Sequence, residues 1–283
     1  MRAKTKLTRL CGILLTLALL VGLLPTVALA AETETADFTS DGDPIAALAL
    51  LNAAKTGEVA STWDAESKTL TLNGVDFTTT ASTAVKLPVN TTIVLNGANT
   101  ITSTYSGSGD CYGIYGNGGL LTIQGTGTLD VTSGTSTGNQ SFGIHARYDV
   151  TIKSGAVTAT GGAAPVNQSF GISANRNLTI TGGTVTATGS DANISSNGLW
   201  AGNGSVTISG GKVVAQGGNV SGTSSGIYAK NVVIQNTDNR IPHVTTCGGT
   251  GENSRGIYVY GSSVSIFGGA VIAKAGSATS VSL

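Results

Sequence analysis

The sequence is poor in charge, aromatic rings, proline and cysteine. Only 11% of its 283 residues are charged, against about 25% in an average globular domain. Fifteen basic residues balance fifteen acidic ones, so the basic excess of a nucleic-acid binder is missing and no nucleic-acid partner is expected. Its 40% hydrophobic content excludes a disordered tail, which lacks the apolar residues for a core. The 41 glycines do not fall at every third position, which excludes collagen. What is present is a glycine-punctuated, Thr/Val/Ile-rich chain of all-β character.

The first thirty residues have the grammar of a signal peptide. Arg2, Lys4, Lys6 and Arg9 form a positive start, and Ile13 to Leu24 is an apolar run shorter than the roughly 20 residues a membrane span needs. Ala28-Leu29-Ala30 offers small residues for cleavage before Ala31. An exported protein is expected, secreted or associated with the cell surface, with no membrane span in the mature chain. Removing the leader leaves 11 basic against 15 acidic residues.

The rest is a repeat. Gly113-Ile114-Tyr115-Gly116, Gly143-Ile144-His145-Ala146, Gly171-Ile172-Ser173-Ala174, Gly198-Leu199-Trp200-Ala201, Gly226-Ile227-Tyr228-Ala229 and Gly256-Ile257-Tyr258-Val259 start 30, 28, 27, 28 and 30 residues apart. A second short strand follows each, such as Val150-Thr151-Ile152 or Leu178-Thr179-Ile180. After a glycine corner comes a third, such as Val157-Thr158-Ala159-Thr160 or Val185-Thr186-Ala187-Thr188. Alternation points one set of side chains in and the other out. A single coil cannot bury its inner set, so coils must stack about 4.8 Å apart as a right-handed parallel β-helix, a solenoid of three-strand coils. The series extends upstream at the same spacing, Ile93 preceding Leu121 and Ile101 preceding Leu129 by 28 residues. Asp43-Pro44 and the Ala/Leu run to Lys55 predict a short helix, Asp as N-cap and Pro at N1, covering the N-terminal opening. The expected organisation is a signal peptide over 1–30, a leader with the capping helix over 31–56, and the β-helix over 57–283. Cys111 and Cys247 fall four or five coils apart, roughly 20 Å, too far for a disulfide, so two free thiols are expected.

Trp63-Asp64, then Lys68-Thr69-Leu70-Thr71-Leu72-Asn73-Gly74 and the repeated G-I-x-A and L-T-I-x-G-G coils, resemble the exported β-helix proteins of anaerobic Gram-positive bacteria classed as carbohydrate-binding domain proteins. These are distant cousins of the pectate-lyase-like β-helices. The resemblance covers roughly residues 57–276. It implies a secreted or surface glycan binder, with calcium bound in some members, and it supplies no catalytic motif.

Candidate chemistry follows from the outward positions. Asp110, Asp130, Asp149, Asp191, Asp238 and Glu252 do not share a column, and His145 and His243 sit on different faces, so the paired carboxylates of a glycosidase are not assembled and no enzyme is expected. Down the coils, the x of G-I-x-A reads Tyr115, His145, Ser173, Trp200, Tyr228, Tyr258, and the next outward column reads Asn117, Arg147, Asn175, Gly202, Lys230, Tyr260. Sugar rings pack their C–H faces on aromatic planes, while Asn, Arg and Lys bond hydroxyls or uronate carboxylates. The expected site for a polysaccharide or cell-wall glycan is therefore Tyr115, His145, Arg147, Asn175, Trp200, Tyr228, Lys230, Tyr258 and Tyr260, arranged as an exposed ribbon. The same column is also readable as a ladder that only stabilises the sheet, or as a surface for a protein partner. Loops 161–169, 189–197, 217–225 and 248–255 share one corner beside it. Asp191 with Asn193 is the one place where calcium is considered, and no other cofactor is expected. The alternatives are a structural or adhesive protein with end-to-end contact through an uncapped C-terminal coil, or a weak polysaccharide lyase.

Overall fold

Every strand after the entry hairpin finds its partner one coil away. In the computed structural model, which describes residues 34–237 and 239–277, the chain winds as a parallel β-solenoid with one short helix near its N-terminal end. The signal peptide expected over 1–30 lies outside the described residues, as does Asp238. The repeat isoleucines are in register down the first face: Ile114 pairs Ile144, then Ile172, Leu199, Ile227 and Ile257. Ile93, Ile123, Ile152, Ile180, Ile208 and Ile234 do the same on the second, and Val157, Val185, Val213 and Val244 on the third. Nearly all are fully buried in one core, where each large aliphatic side chain contributes roughly 1.5–3 kcal/mol.

The upstream register differs from the expected one. Ile93 lies opposite Ile123, and Ile101 opposite Val131, two residues beyond Leu121 and Leu129. A shift of two preserves which face each side chain takes, so the apolar pattern could not distinguish the two registers. The leader is also not separate from the solenoid. Its strand Ala36–Asp37 pairs in parallel with Thr83–Leu87, and Ala36 and Phe38 are buried. The helix, Pro44–Ala53, starts as expected, with the Asp43 carboxylate accepting the Ile45 N–H at 2.9 Å. It lays Ala47 and Leu51 on the end of the core. Two strands are far longer than a coil face: Ser195–Ile208 and Thr223–Ile234 run through the corner and join the first and second faces into one sheet.

The corner between the third and first strands is closed by a column of serines. Ser141, Ser169, Ser196, Ser224 and Ser254 are aligned by the strand register. Their hydroxyls accept the N–H of Gly162, Ser190, Gly218, Gly249 and Gly276 respectively, at 2.6–2.9 Å, which satisfies backbone groups that burial would leave unpaired. Cys111 takes the same position one coil earlier. It is buried, and burial, reinforced by Asp110, pushes its thiol up to about 11. Both Cys111 and Cys247 are free thiols, as the register requires.

The glycine before each repeat isoleucine fits because the third strand passes close behind it. A Cβ on Gly171 would stand 2.5 Å from the Thr188 nitrogen and 2.8 Å from the Ala187 carbonyl carbon. Gly171→Ala should therefore cost about 1–3 kcal/mol, read as a lowered urea midpoint with an unchanged slope. A neutral outcome would show that the first and third strands are not this close.

Candidate functional site

The same glycine breaks the alternation. Gly171 approaches the third strand inside the coil and the next residue, Ile172, is also in the core, so the residue before the glycine joins the one after the isoleucine on the outer side. Tyr112, Phe142 and Phe170 hold that earlier position, stand outside the aliphatic core cluster and stack on one another with centroids 5.0 Å apart. They form a second aromatic column beside the expected one. Tyr112 meets Tyr115 at 4.9 Å, Phe142 meets His145 at 4.6 Å, and Phe170 meets Trp200 at 5.3 Å. Sequence reasoning misses these three because strict period two places them inside; the signal available was the recurring Tyr-Gly or Phe-Gly pair.

The second column corrects the first. The ribbon is not continuously exposed: His145 is 7% exposed and Ser173 is fully buried, with His145 Nδ1 and Ser173 Oγ 3.0 Å apart. Tyr112, Tyr115 and Phe142 surround the imidazole. Burial, with Arg147 adding to it, pulls its pKa down to about 4, so the ring is neutral at pH 7. His145 is thus a support within the platform. Arg147 and Lys230 are exposed, and Tyr115, Asn175, Trp200, Tyr228 and Tyr258 are partly exposed.

Two hollows lie on this face and share Trp200 and Gln168. The smaller, about 200 Å³, is lined by Tyr112, Phe142, His145, Phe170 and Asn175, with Gln140 and Gln168 at its edge. Those two amides are joined at 2.7 Å. The larger, about 420 Å³, lies between Trp200, Tyr228 and Tyr260, with Ile194 and Thr223 from the loop corner as its opposite wall. Tyr228 stacks on Tyr258 at 4.9 Å and on Tyr260 at 5.4 Å. Burial, with the neighbouring tyrosines adding to it, raises the Tyr228 hydroxyl pKa.

Corner length makes the larger hollow. Between the register positions that bracket the first corner, Ala201 and Val206 are five positions apart, Ala229 and Val232 only three, and Val259 and Val264 five again. The Lys230 corner is therefore short between two bulging neighbours. The Trp200 ring lies over Gly202, where a Cβ would meet it at 2.1 Å, and the Tyr260 hydroxyl donates to the Gly202 carbonyl. In the second aromatic column the same coils carry Asn197 and Ser225 in place of rings. Their buried Oδ1 and Oγ have no hydrogen-bond partner.

The acidic residues nearest this face are engaged. Asp110 accepts from the Tyr112 hydroxyl at 3.2 Å and the Gln140 N–H at 3.1 Å. Asp149 accepts the backbone and amide N–H of Asn177 at 2.9 and 3.0 Å. Asp191 accepts the Asn219 N–H at 3.1 Å, a brace to the next coil. Among the described residues no three His, Cys, Asp or Glu side chains gather as a metal site, and no helix is long and apolar enough to cross a membrane.

Residues 49–282 match the family model described as carbohydrate-binding domain-containing protein. No curated protein and no solved structure matches the chain.

His145 supplies a direct check on the packed part of this face. Its folded pKa of about 4 lies below the ordinary histidine value of about 6.5, so the unfolded chain binds the proton first. This contribution to stability is complete above about pH 6.5 and is lost as pH falls towards 4. By NMR, the His145 ring should stay neutral down to about pH 4, and the wild type should lose more stability than His145→Phe between pH 6.5 and 4. Titration of this ring near pH 6.5 would show that the platform is open to water.

Proposed function

The chain belongs to the carbohydrate-binding domain-containing protein family, and on that premise we propose that its first face is a non-catalytic polysaccharide-binding surface on an exported protein. The observation that carries this reading is the hollow between Trp200, Tyr228 and Tyr260. Aromatic planes there take the C–H face of a pyranose ring. Arg147, Asn175 and Lys230 flank the rings as donors to hydroxyls or carboxylates. Binding without bond cleavage is favoured because Asp110 and Asp149 are held in hydrogen bonds rather than poised as an acid and a base.

A second reading, end-to-end association, rests on Ile266, Phe267 and Ile272 of the last described coil, which are 51%, 73% and 52% exposed. Sedimentation over a concentration series should show dimers that Ile272→Lys abolishes if these side chains meet a second chain. A monomer throughout would remove this reading.

The glycan reading is tested on an array with the mature protein, followed by Trp200→Ala and Tyr228→Ala. Both variants should lose most of the affinity while unfolding within about 1 kcal/mol of wild type, the value of one aromatic pair at a partly exposed site. Phe170→Ala, at 1% exposure, should instead cost about 3–5 kcal/mol. An array with no bound glycan, or full affinity in both variants, would overturn the proposal.

A further inference from the structure

A further hollow lies at the other end of the same corner. About 520 Å³ in volume, it is lined by Phe38, Trp63, Pro44, Pro88, Lys68 and Asn117, among others. Phe38 follows the leader strand, and Trp63 comes from the hairpin that opens the solenoid; their rings meet at 5.1 Å. This apolar lining carries one cation, Lys68, and one side-chain amide, Asn117. Asn117 heads the outward column that runs through Arg147 and Asn175 to Gly202 and on to Tyr260, as the coil-to-coil bonds from Asn117, Arg147, Asn175, Asn203 and Tyr260 show. Gly202 is three rungs from Asn117, about 14 Å at about 4.8 Å per rung. The two tryptophans of the chain, Trp63 and Trp200, thus stand one in each hollow, six rungs or about 29 Å apart.

The surface between the hollows is cationic. Arg147 and Arg176 are exposed there on adjacent coils, and Lys230 is exposed beside the Trp200 hollow, two coils beyond Arg176. Arg176 lies over the ring of Tyr148 at 5.8 Å, and Tyr148 is itself 47% exposed. The one ion pair among the described residues joins Lys86 to Asp37, so none of these cations is neutralised by a carboxylate. The acid within this stretch, Asp149, is turned to Asn177.

Resting on the carbohydrate reading above, we propose that the Trp63 hollow is a second subsite for the same ligand, and that this ligand is an acidic polysaccharide lying along the solenoid axis. A ring stacks at each end, the carboxylates of the units between them meet Arg147 and Arg176, and Lys230 meets that of the unit in the Trp200 hollow. A disaccharide fills one hollow only. A chain that engages both gains from the second contact being intramolecular, by a factor of about 100 or more.

The test uses the two tryptophans as separate reporters. Trp200→Phe leaves Trp63 as the sole indole and Trp63→Phe leaves Trp200, each titrated with long polygalacturonate, its trimer and its methyl ester. Trp63 emission in Trp200→Phe should shift on adding the polymer. By calorimetry, wild-type protein should bind the polymer about 100-fold more tightly than the trimer. Arg147→Gln with Arg176→Gln, or about 0.5 M salt, should weaken polymer binding about tenfold, since exposed charges are screened. Lys68→Glu probes the hollow without removing a packed ring and should lower polymer affinity while leaving trimer binding at Trp200 intact. Polymer binding that moves Trp200 emission but leaves Trp63 silent and Lys68→Glu unaffected would overturn the second subsite, with the carbohydrate reading standing. Equal affinity for the methyl ester, or binding of neutral glycans alone on the array, would overturn the acidic ligand. If no glycan binds at all, the carbohydrate reading itself falls.

Discussion

Everything in this molecule depends on the coil-to-coil register. A coil of about 28 residues cannot surround its own apolar side chains, and its backbone N–H and C=O groups point along the axis to the coils above and below. The hydrogen bonds that satisfy those groups are the same bonds that bring Ile144 over Ile114 and Val185 over Val157. Burial and backbone pairing are therefore one event. The consequence for the surface is equally strict: every outward residue is stacked on its counterparts, so a substitution in one repeat acts on a column. That is how a chain with only 5% aromatic residues concentrates so many rings on one face.

The constraint explains what the sequence could and could not disclose. Repeat spacing, the alternation within each strand and the Asp43-Pro44 helix start are properties of local pattern, and the solenoid, the aliphatic columns and the N-cap all follow from them. The upstream register is not such a property. Ile93 against Leu121 and Ile93 against Ile123 both keep the isoleucine inside, and only the length of the intervening corners selects the second. The strand Ala36–Asp37 was hidden for a related reason. Two residues of strand carry no periodicity, and they are ordered by the free edge of Thr83–Leu87 and by burial of Ala36 in the core.

The candidate site was half legible. The column of Tyr115, Trp200, Tyr228 and Tyr258 follows from repeat alignment, because residues at one repeat position must stack. Its neighbour, Tyr112 with Phe142 and Phe170, was invisible to period two. The glycine between Phe170 and Ile172 has no side chain to place, so the strand spends that residue on a close approach to Thr188 and turns the preceding ring outward. One break in alternation changes the meaning of His145. A ring assigned to solvent by pattern is enclosed by three others and bonded to Ser173, and it serves as filler that stiffens the face.

Repetition by itself makes a flat face. The hollows arise where the repeat is broken. Phe gives way to Asn197 and Ser225, the corner at Lys230 is two residues shorter than those on either side, and Gly202 leaves room for the Trp200 ring to lie along the strand. At the N-terminal end the break is the end of the solenoid itself, where the leader strand and the Trp63 hairpin take the place of a further coil and bring Phe38 to Trp63. The residues that obey the repeat hold the coils together. The departures from it cluster on one corner, around the two tryptophans, and they are what distinguishes this surface from the two other faces built on the same register.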